Sequence, residues 1–236
     1  MKYQWSAGTH KGRVRNNNED SFAPETSGAG TGPVVLMVAD GMGGAIGGEI
    51  ASQLAVEHAS VGAGSPVERV IRANEAVVER TLNEPGLAGM GTTLTLAELG
   101  EEGTVQLAHV GDTRAYLLHH QGTFEQLTSD HTVVAEQLAA GHISPADAVT
   151  HPQRSMLTRV LGISPEIEVD SITFDSAPGD RLLICSDGLT NMVEDERIAQ
   201  LLAKGSPEEA VWTLIEEANR AGGHDNITVV VVDVEQ

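Results

Sequence analysis

Hydrophobic positions in this chain follow two periodicities that alternate in blocks. Residues 33–39, Pro-Val-Val-Leu-Met-Val-Ala, form an unbroken apolar run that predicts a buried strand. Residues 2–7 predict a strand ahead of it. Helical spacing then takes over at 49–60 and again at 66–83, where Val67, Val70, Ile71, Asn74, Val77, Val78 and Thr81 share one face and Gly86 lies beyond the end. Residues 92–99, 104–110 and 114–119 return to strand spacing, separated by short glycine-containing turns of the kind that join antiparallel neighbours.

Between 129 and 161 the pattern changes again. Val133, Val134, Gln137 and Leu138 make a short amphipathic helix stopped by Gly141, and Ser144-Pro-Ala-Asp147 opens another. This stretch is inserted between strands and is expected to form a mobile flap. Strands resume at 167–174 and 180–186. Two helices follow, at 194–204 and from Ser206-Pro-Glu-Glu209, a capping box with Ala210, Val211, Leu214, Ile215 and Ala218 as its apolar stripe. The closing run 227–234 is nearly all valine, which predicts a central strand covered on both faces. The order of strands, helix pair, strands, helix pair and strand predicts an α+β fold: a four-layer α/β/β/α sandwich, two antiparallel sheets flanked by helix pairs, in one domain spanning 1–236.

Composition narrows the function. The 236 residues suffice for one sizeable core, and 40% hydrophobic content excludes a disordered chain. Aromatics make up only 3%, so the core must rest on Val, Leu, Ile and Ala. A formal charge of −20 disfavours nucleic acid or an anionic membrane as a partner. Cys185 is the only cysteine, which excludes an intrachain disulfide, and its place in an apolar strand makes it a buried thiol rather than a nucleophile. No apolar run is long enough to span a bilayer, and Met1-Lys-Tyr-Gln-Trp5 has no signal-peptide core, so a cytoplasmic protein is expected.

Five aspartates sit close to Gly or Asn at predicted strand ends: Asp40, Asp112, Asp187 and Asp225 directly beside one, and Asp20 two positions after Asn18. Turns there let short carboxylates and backbone carbonyls reach outward. Carboxylates brought together repel unless cations neutralise them, and hard oxygen ligands select magnesium or manganese. That points to a two-metal hydrolase acting on phosphate esters. Each residue also has a plainer reading. An Asp beside Gly is commonly a turn former, Asp112 would then cap the turn before Arg114, and Arg15 would be a surface charge. Nor do the nine histidines include a pair suited to zinc, since His119 and His120, placed on a strand, would alternate faces.

Several motifs occur in order: Gly12-Arg-Val-Arg-Asn-Asn-Asn-Glu-Asp20, Val38-Ala-Asp-Gly-Met-Gly-Gly44, Gly91-Thr-Thr93, His109-Val-Gly-Asp-Thr-Arg114, Asp130-His131, His151-Pro-Gln-Arg154, Leu157-Thr-Arg-Val-Leu-Gly162, Cys185-Ser-Asp-Gly-Leu189 and Asp225-Asn-Ile-Thr228. Together they resemble the metal-dependent protein phosphatases of the protein phosphatase 2C type, in their compact bacterial form, over nearly the whole chain. The resemblance implies the same sandwich fold and a serine/threonine phosphoprotein phosphatase. Such an enzyme hydrolyses phosphomonoesters by direct attack of a metal-bridging water. It implies that Asp40 bridges two Mn2+ or Mg2+ ions, that the Gly41 carbonyl binds one, and that Asp187 and Asp225 complete the pair. Asp20 and Glu19 would hold metal-bound waters, Asp112 would join Asp187 at a weaker third ion, and Arg15 would clamp the phosphate. The implied partners are phosphorylated proteins, opposing a serine/threonine kinase, and a monomer is expected.

Two positions depart from the family pattern. Met42 and Ala45 stand where eukaryotic and many bacterial relatives, respectively, carry histidine. The general acid is therefore left to metal-bound water or a flap histidine, His131 or His151. Two rival functions fit parts of the pattern. A dinucleotide-binding loop would explain the glycines after residue 40, but Asp40 would face the pyrophosphate and the next element reads as a second helix. A non-catalytic phosphoprotein-binding module would normally have lost the metal ligands.

Overall fold

The computed structural model describes residues 1–43 and 46–236. One sheet contains β1 (Lys2–His10), β3 (Gly28–Thr31), β8 (Arg114–Leu118), β9 (Phe124–Gln126), β11 (Arg181–Cys185) and β12 (Ile227–Glu235), in the order β3-β1-β12-β11-β8-β9. The other contains β2 (Asp20–Ala23), β4 (Val34–Met42), β6 (Leu94–Leu99), β7 (Thr104–Val110) and β10 (Asp170–Asp175), in the order β10-β7-β6-β4-β2, with β5 (Gly91–Thr92) paired to β4. Every pairing is antiparallel. Helices α1 (Gly44–Ser60) and α2 (Pro66–Asn83) cover the second sheet. Helices α5 (Asp187–Thr190), α6 (Asp195–Leu202) and α7 (Pro207–Arg220) cover the first. The short α3 (Val133–Ala139) and α4 (Pro145–Val149) lie in the segment between β9 and β10.

Three apolar layers glue the four structural layers together. Strand β12 shows why its valines are continuous: Val229 and Val231 face α6 and α7, while Val230, Val232 and Val234 face the opposite sheet. On β11, Leu183 and Cys185 face the helices and Leu182 and Ile184 face the sheet. The period-two alternation thus feeds two cores from one strand. Helix α2 runs over the predicted residues and begins with a Ser65–Glu68 capping box. Its buried face is centred on Val70, Ala73, Asn74 and Val77; Ile71, expected on that face, is instead exposed, because the stripe turns toward Ala73. Among the described residues no helix is long and apolar enough to cross a membrane.

Several boundaries differ from expectation for local reasons. The run 92–99 is broken at Thr93, whose N–H leaves the strand pattern to donate to the Asp40 carbonyl at 2.9 Å. Strand pairing in the run 167–174 starts only at Asp170, because Ile167 and Val169 pack on the helix-side core of the second sheet. Asp40 lies within β4, two residues before its end, rather than at the end. His119 and His120 follow the end of β8 and do not alternate. Both turn toward Asp180, with Nδ1 atoms at 4.0 and 3.0 Å from its carboxylate.

Candidate active site

The antiparallel registers bring turns from both sheets to one end of the molecule. Asp20 opens β2 directly opposite Asp40 on β4. Asp112 occupies the turn from β7 to β8, Asp187 starts α5 just after β11, and Asp225 precedes β12. A cleft of about 1310 Å³ opens over them, and Arg15, Glu19, Asp40, Gly41, Asp112, Asp187 and Asp225 all line it. Asp20 does not line the cleft; it sits behind the wall, buried.

The loop carrying Arg15 is pinned by Asn226. Its side-chain oxygen accepts the Glu19 N–H at 2.8 Å, and its amide donates to the carbonyls of Lys11 at 3.1 Å and Asn17 at 2.8 Å. Gly12, at φ 77°, packs so closely that a β-carbon would lie 2.2 Å from the Asp225 carbonyl oxygen. The result is a 2.7 Å ion pair between Arg15 and Asp225. A second tight approach lies beneath Gly41, where a β-carbon would meet the Gly48 carbonyl oxygen at 2.1 Å. Helix α1 can therefore press against β4 only with glycine at that position.

The electrostatics are unfavourable for a bare protein. Burial pushes the Asp20 carboxyl up to about 7, although hydrogen bonds from Thr228 and Ser186 pull the other way. Burial, then the Asp187 charge, pushes Asp112 up to about 8. Asp187 rises to about 6 through burial and the Asp225 charge. Asp40 is raised well above the ordinary range by burial and by Asp20, Asp187, Asp112 and Asp225 together. Glu19 is raised too, chiefly by burial.

Hydrogen bonding leaves part of this charge unanswered. Oδ2 of Asp20 accepts from Ser186 Oγ at 2.8 Å and Thr228 Oγ1 at 2.6 Å, yet its Oδ1 is buried with no partner. Oδ1 of Asp187 is likewise buried and unpartnered, while Oδ2 accepts from Asn191 at 2.9 Å. Buried acceptors of this kind are costly unless something fills the gap. Divalent cations fit: the donors are all hard oxygens, mutually repelling, around an open cleft. Among the described residues, no three His, Cys, Asp or Glu side chains close on a single point.

The structure thus gathers Arg15, Asp40, Gly41, Asp112, Asp187 and Asp225 on one cleft and places Asp20 directly behind. It also shows supports that the sequence reading did not assign. Thr93 Oγ1 accepts the Asp40 N–H at 2.9 Å, and Ser186, Thr228 and Asn226 anchor the carboxylates and the Arg15 loop. Asn226 and Thr228 were visible as parts of the Asp225-Asn-Ile-Thr228 motif; Ser186 had only its place beside Asp187 as a signal. No histidine is among the described residues lining the cleft. His131 is buried, with Nδ1 accepting the Gly111 N–H at 3.1 Å and Nε2 beside Asp170 at 3.1 Å. Met42 lines the cleft; Ala45 lies outside the described residues.

The α/β/β/α sandwich thus delivers four half-buried aspartates and Arg15 to one cleft, with Asp20 buried behind them. The protein phosphatase 2C family model matches residues 7–217, and the chain belongs to that family. It is 41% identical over 240 residues to the serine/threonine protein phosphatase PstP of Mycobacterium tuberculosis, covering 98% of this chain but 45% of that protein. The chain thus spans about half the length of this mycobacterial relative. It is 38% identical to the serine/threonine phosphatase stp of Listeria monocytogenes, over 95% of this chain and 93% of that one. The crystal structure of the PstP catalytic domain in complex with two manganese ions superposes with a TM-score of 0.88 at 37% identity, covering 100% of this chain and 99% of that one.

Proposed function

We propose that this chain is a metal-dependent phosphatase that removes phosphate from phosphoserine and phosphothreonine in proteins. The observation that carries the reading is the mutually repelling carboxylate set, half-buried in the cleft of this family's fold beside Arg15 and backed by the buried Asp20, with orphaned oxygens on Asp187 and Asp20. Asp40, the Gly41 carbonyl, Asp187 and Asp225 would hold two Mn2+ or Mg2+ ions. Asp112 with Asp187 would hold a weaker third, and Asp20 and Glu19 would act through waters. When bound, such ions activate water and offset the charge on the transferring phosphoryl group.

The protein's own groups do the rest by position. Asp20, locked by Ser186 and Thr228, keeps one oxygen free behind Asp40. Arg15 offers a planar fork matched to two phosphate oxygens, and its ion pair with Asp225 holds it at the cleft until a phosphate competes for it. The thiol route has no support here: Cys185 is fully buried on the far side of β11 from the opposing sheet, and burial pushes its thiol far up. A cytoplasmic monomer opposing a serine/threonine kinase is the accompanying proposal. The test is hydrolysis of an aryl phosphate and of phosphothreonine peptides with metals varied. Turnover that requires manganese or magnesium and stops with chelator is expected; full activity in chelator, or strict zinc dependence, would overturn the reading.

A further inference from the structure

The walls of the cleft differ from its floor, and they point to which phosphoproteins fit. Three glutamates stand on the flap side: Glu136 on α3, and Glu166 and Glu168 on the segment leading into β10. All three are exposed and line the cleft. The same cleft exposes bulky apolar side chains, Met42 at 40%, Met156 at 50% and Ile163 at 59%. Among the described lining residues the only cations are Arg15 and Arg159, and both are engaged. Arg15 pairs with Asp225 at 2.7 Å, and Arg159 pairs with Asp170 at 2.7 Å and lies 3.7 Å from Glu168.

Bound cations would offset the floor carboxylates but leave the wall glutamates in place. A phosphopeptide entering the cleft therefore meets two fields. The phosphate is drawn to the floor and to Arg15, while its flanking residues meet negative charge and apolar surface. An acidic flank is repelled, and a basic flank is attracted. Exposed apolar side chains grouped on one concave surface are energetically useful only when a partner covers them.

Resting on the phosphatase reading above, we infer that the cleft selects phosphoserine or phosphothreonine segments that carry Lys or Arg and a bulky apolar residue close to the phosphorylated position. Glu136, Glu166 and Glu168 are the specificity-determining residues for charge, and Met42, Met156 and Ile163 for the apolar neighbour. Phosphoproteins with acidic surroundings are poor substrates.

The test compares two phosphothreonine peptides of one length, identical except for lysines or glutamates flanking the phosphorylated residue. Both are assayed with manganese at low and at high salt, and an aryl phosphate is run in parallel. The lysine peptide is expected to show a kcat/KM about tenfold higher at low salt, with the ratio shrinking as salt screens the walls. In a Glu136→Lys, Glu166→Lys, Glu168→Lys variant the ratio should collapse or invert. Replacing the apolar neighbour by glycine in the lysine peptide should raise KM. A wild-type ratio near one at low salt, or a ratio unmoved in a folded triple variant, would overturn the inference while leaving the phosphatase reading intact. Absence of hydrolysis of all three substrates with manganese present would instead overturn that reading, and the inference with it.

Discussion

An aspartate flanks strand β11 on either side, Asp180 buried and Asp187 half-buried, and the two behave in opposite ways. At its start, burial pushes the Asp180 carboxyl up, but N–H donors from Ala177 and His120 and the His120 ring outweigh it and hold the group below its ordinary range. Two residues beyond its other end, Asp187 is raised to about 6 by burial and Asp225, with one oxygen buried and unpartnered. The fold can satisfy a buried carboxylate with its own donors, as it does at one end. At the other end it gathers more carboxylates instead. A buried anion supplied with donors serves structure, whereas buried anions left wanting together form a site for cations.

The largest expected effect comes from breaking the unsatisfied end. Asp187→Asn should bring metal-dependent turnover to near background and weaken manganese binding, read by steady-state assay and by calorimetry. Near wild-type rates would make Asp187 a turn residue. Next comes Arg15→Ala, which should raise KM for phosphoesters by the loss of a charge-assisted contact, on the order of 1.5–3 kcal/mol. Calorimetry should show a much smaller change in metal affinity, and an unchanged KM would place the phosphate elsewhere.

At the satisfied end, Asp180→Asn should leave turnover and its manganese dependence in place while lowering stability by roughly 1–3 kcal/mol in denaturant unfolding, since donors lose their charged acceptor. A variant that loses manganese binding would erase the distinction between the two ends. The smallest effect is expected from Cys185→Ser. Catalysis should persist with a stability loss of about 1–3 kcal/mol from a buried hydroxyl, and a folded, metal-loaded but inactive variant would restore a thiol mechanism.

The same contrast explains what could be read from the chain. The strand 227–234 and the helix 66–83 were legible because burial on one or two faces writes a repeating apolar pattern. The carboxylates and Arg15 were legible from their motifs. Strands β2, β3 and β9 were not: each has only three or four residues, with no fully buried apolar position to mark a face. Ser186 as an anchor of Asp20 was also hidden, because the two are 166 positions apart and meet only through the sheet. The fate of His119 and His120 depended on β8 ending at Leu118, a boundary that hydrophobic pattern does not fix.

The central claim is that the carboxylate cluster is built for cations and is strained without them. Asp187, Asp20 and Asp112 stand at about 6, 7 and 8 in the fold, against an ordinary value of 3.8. Between these limits the folded chain binds more protons than the unfolded one. The contribution of these groups to stability is therefore full below about pH 4 and is lost as pH rises through about 6 to 8. The direct measurement is thermal unfolding of the metal-free chain from pH 5 to 8.5, with and without manganese. The account predicts a Tm that falls with rising pH in chelator, with manganese restoring it most at the upper end, where the carboxylates are ionised. A metal-free Tm that rises across this range, or one that manganese leaves unmoved, would contradict it.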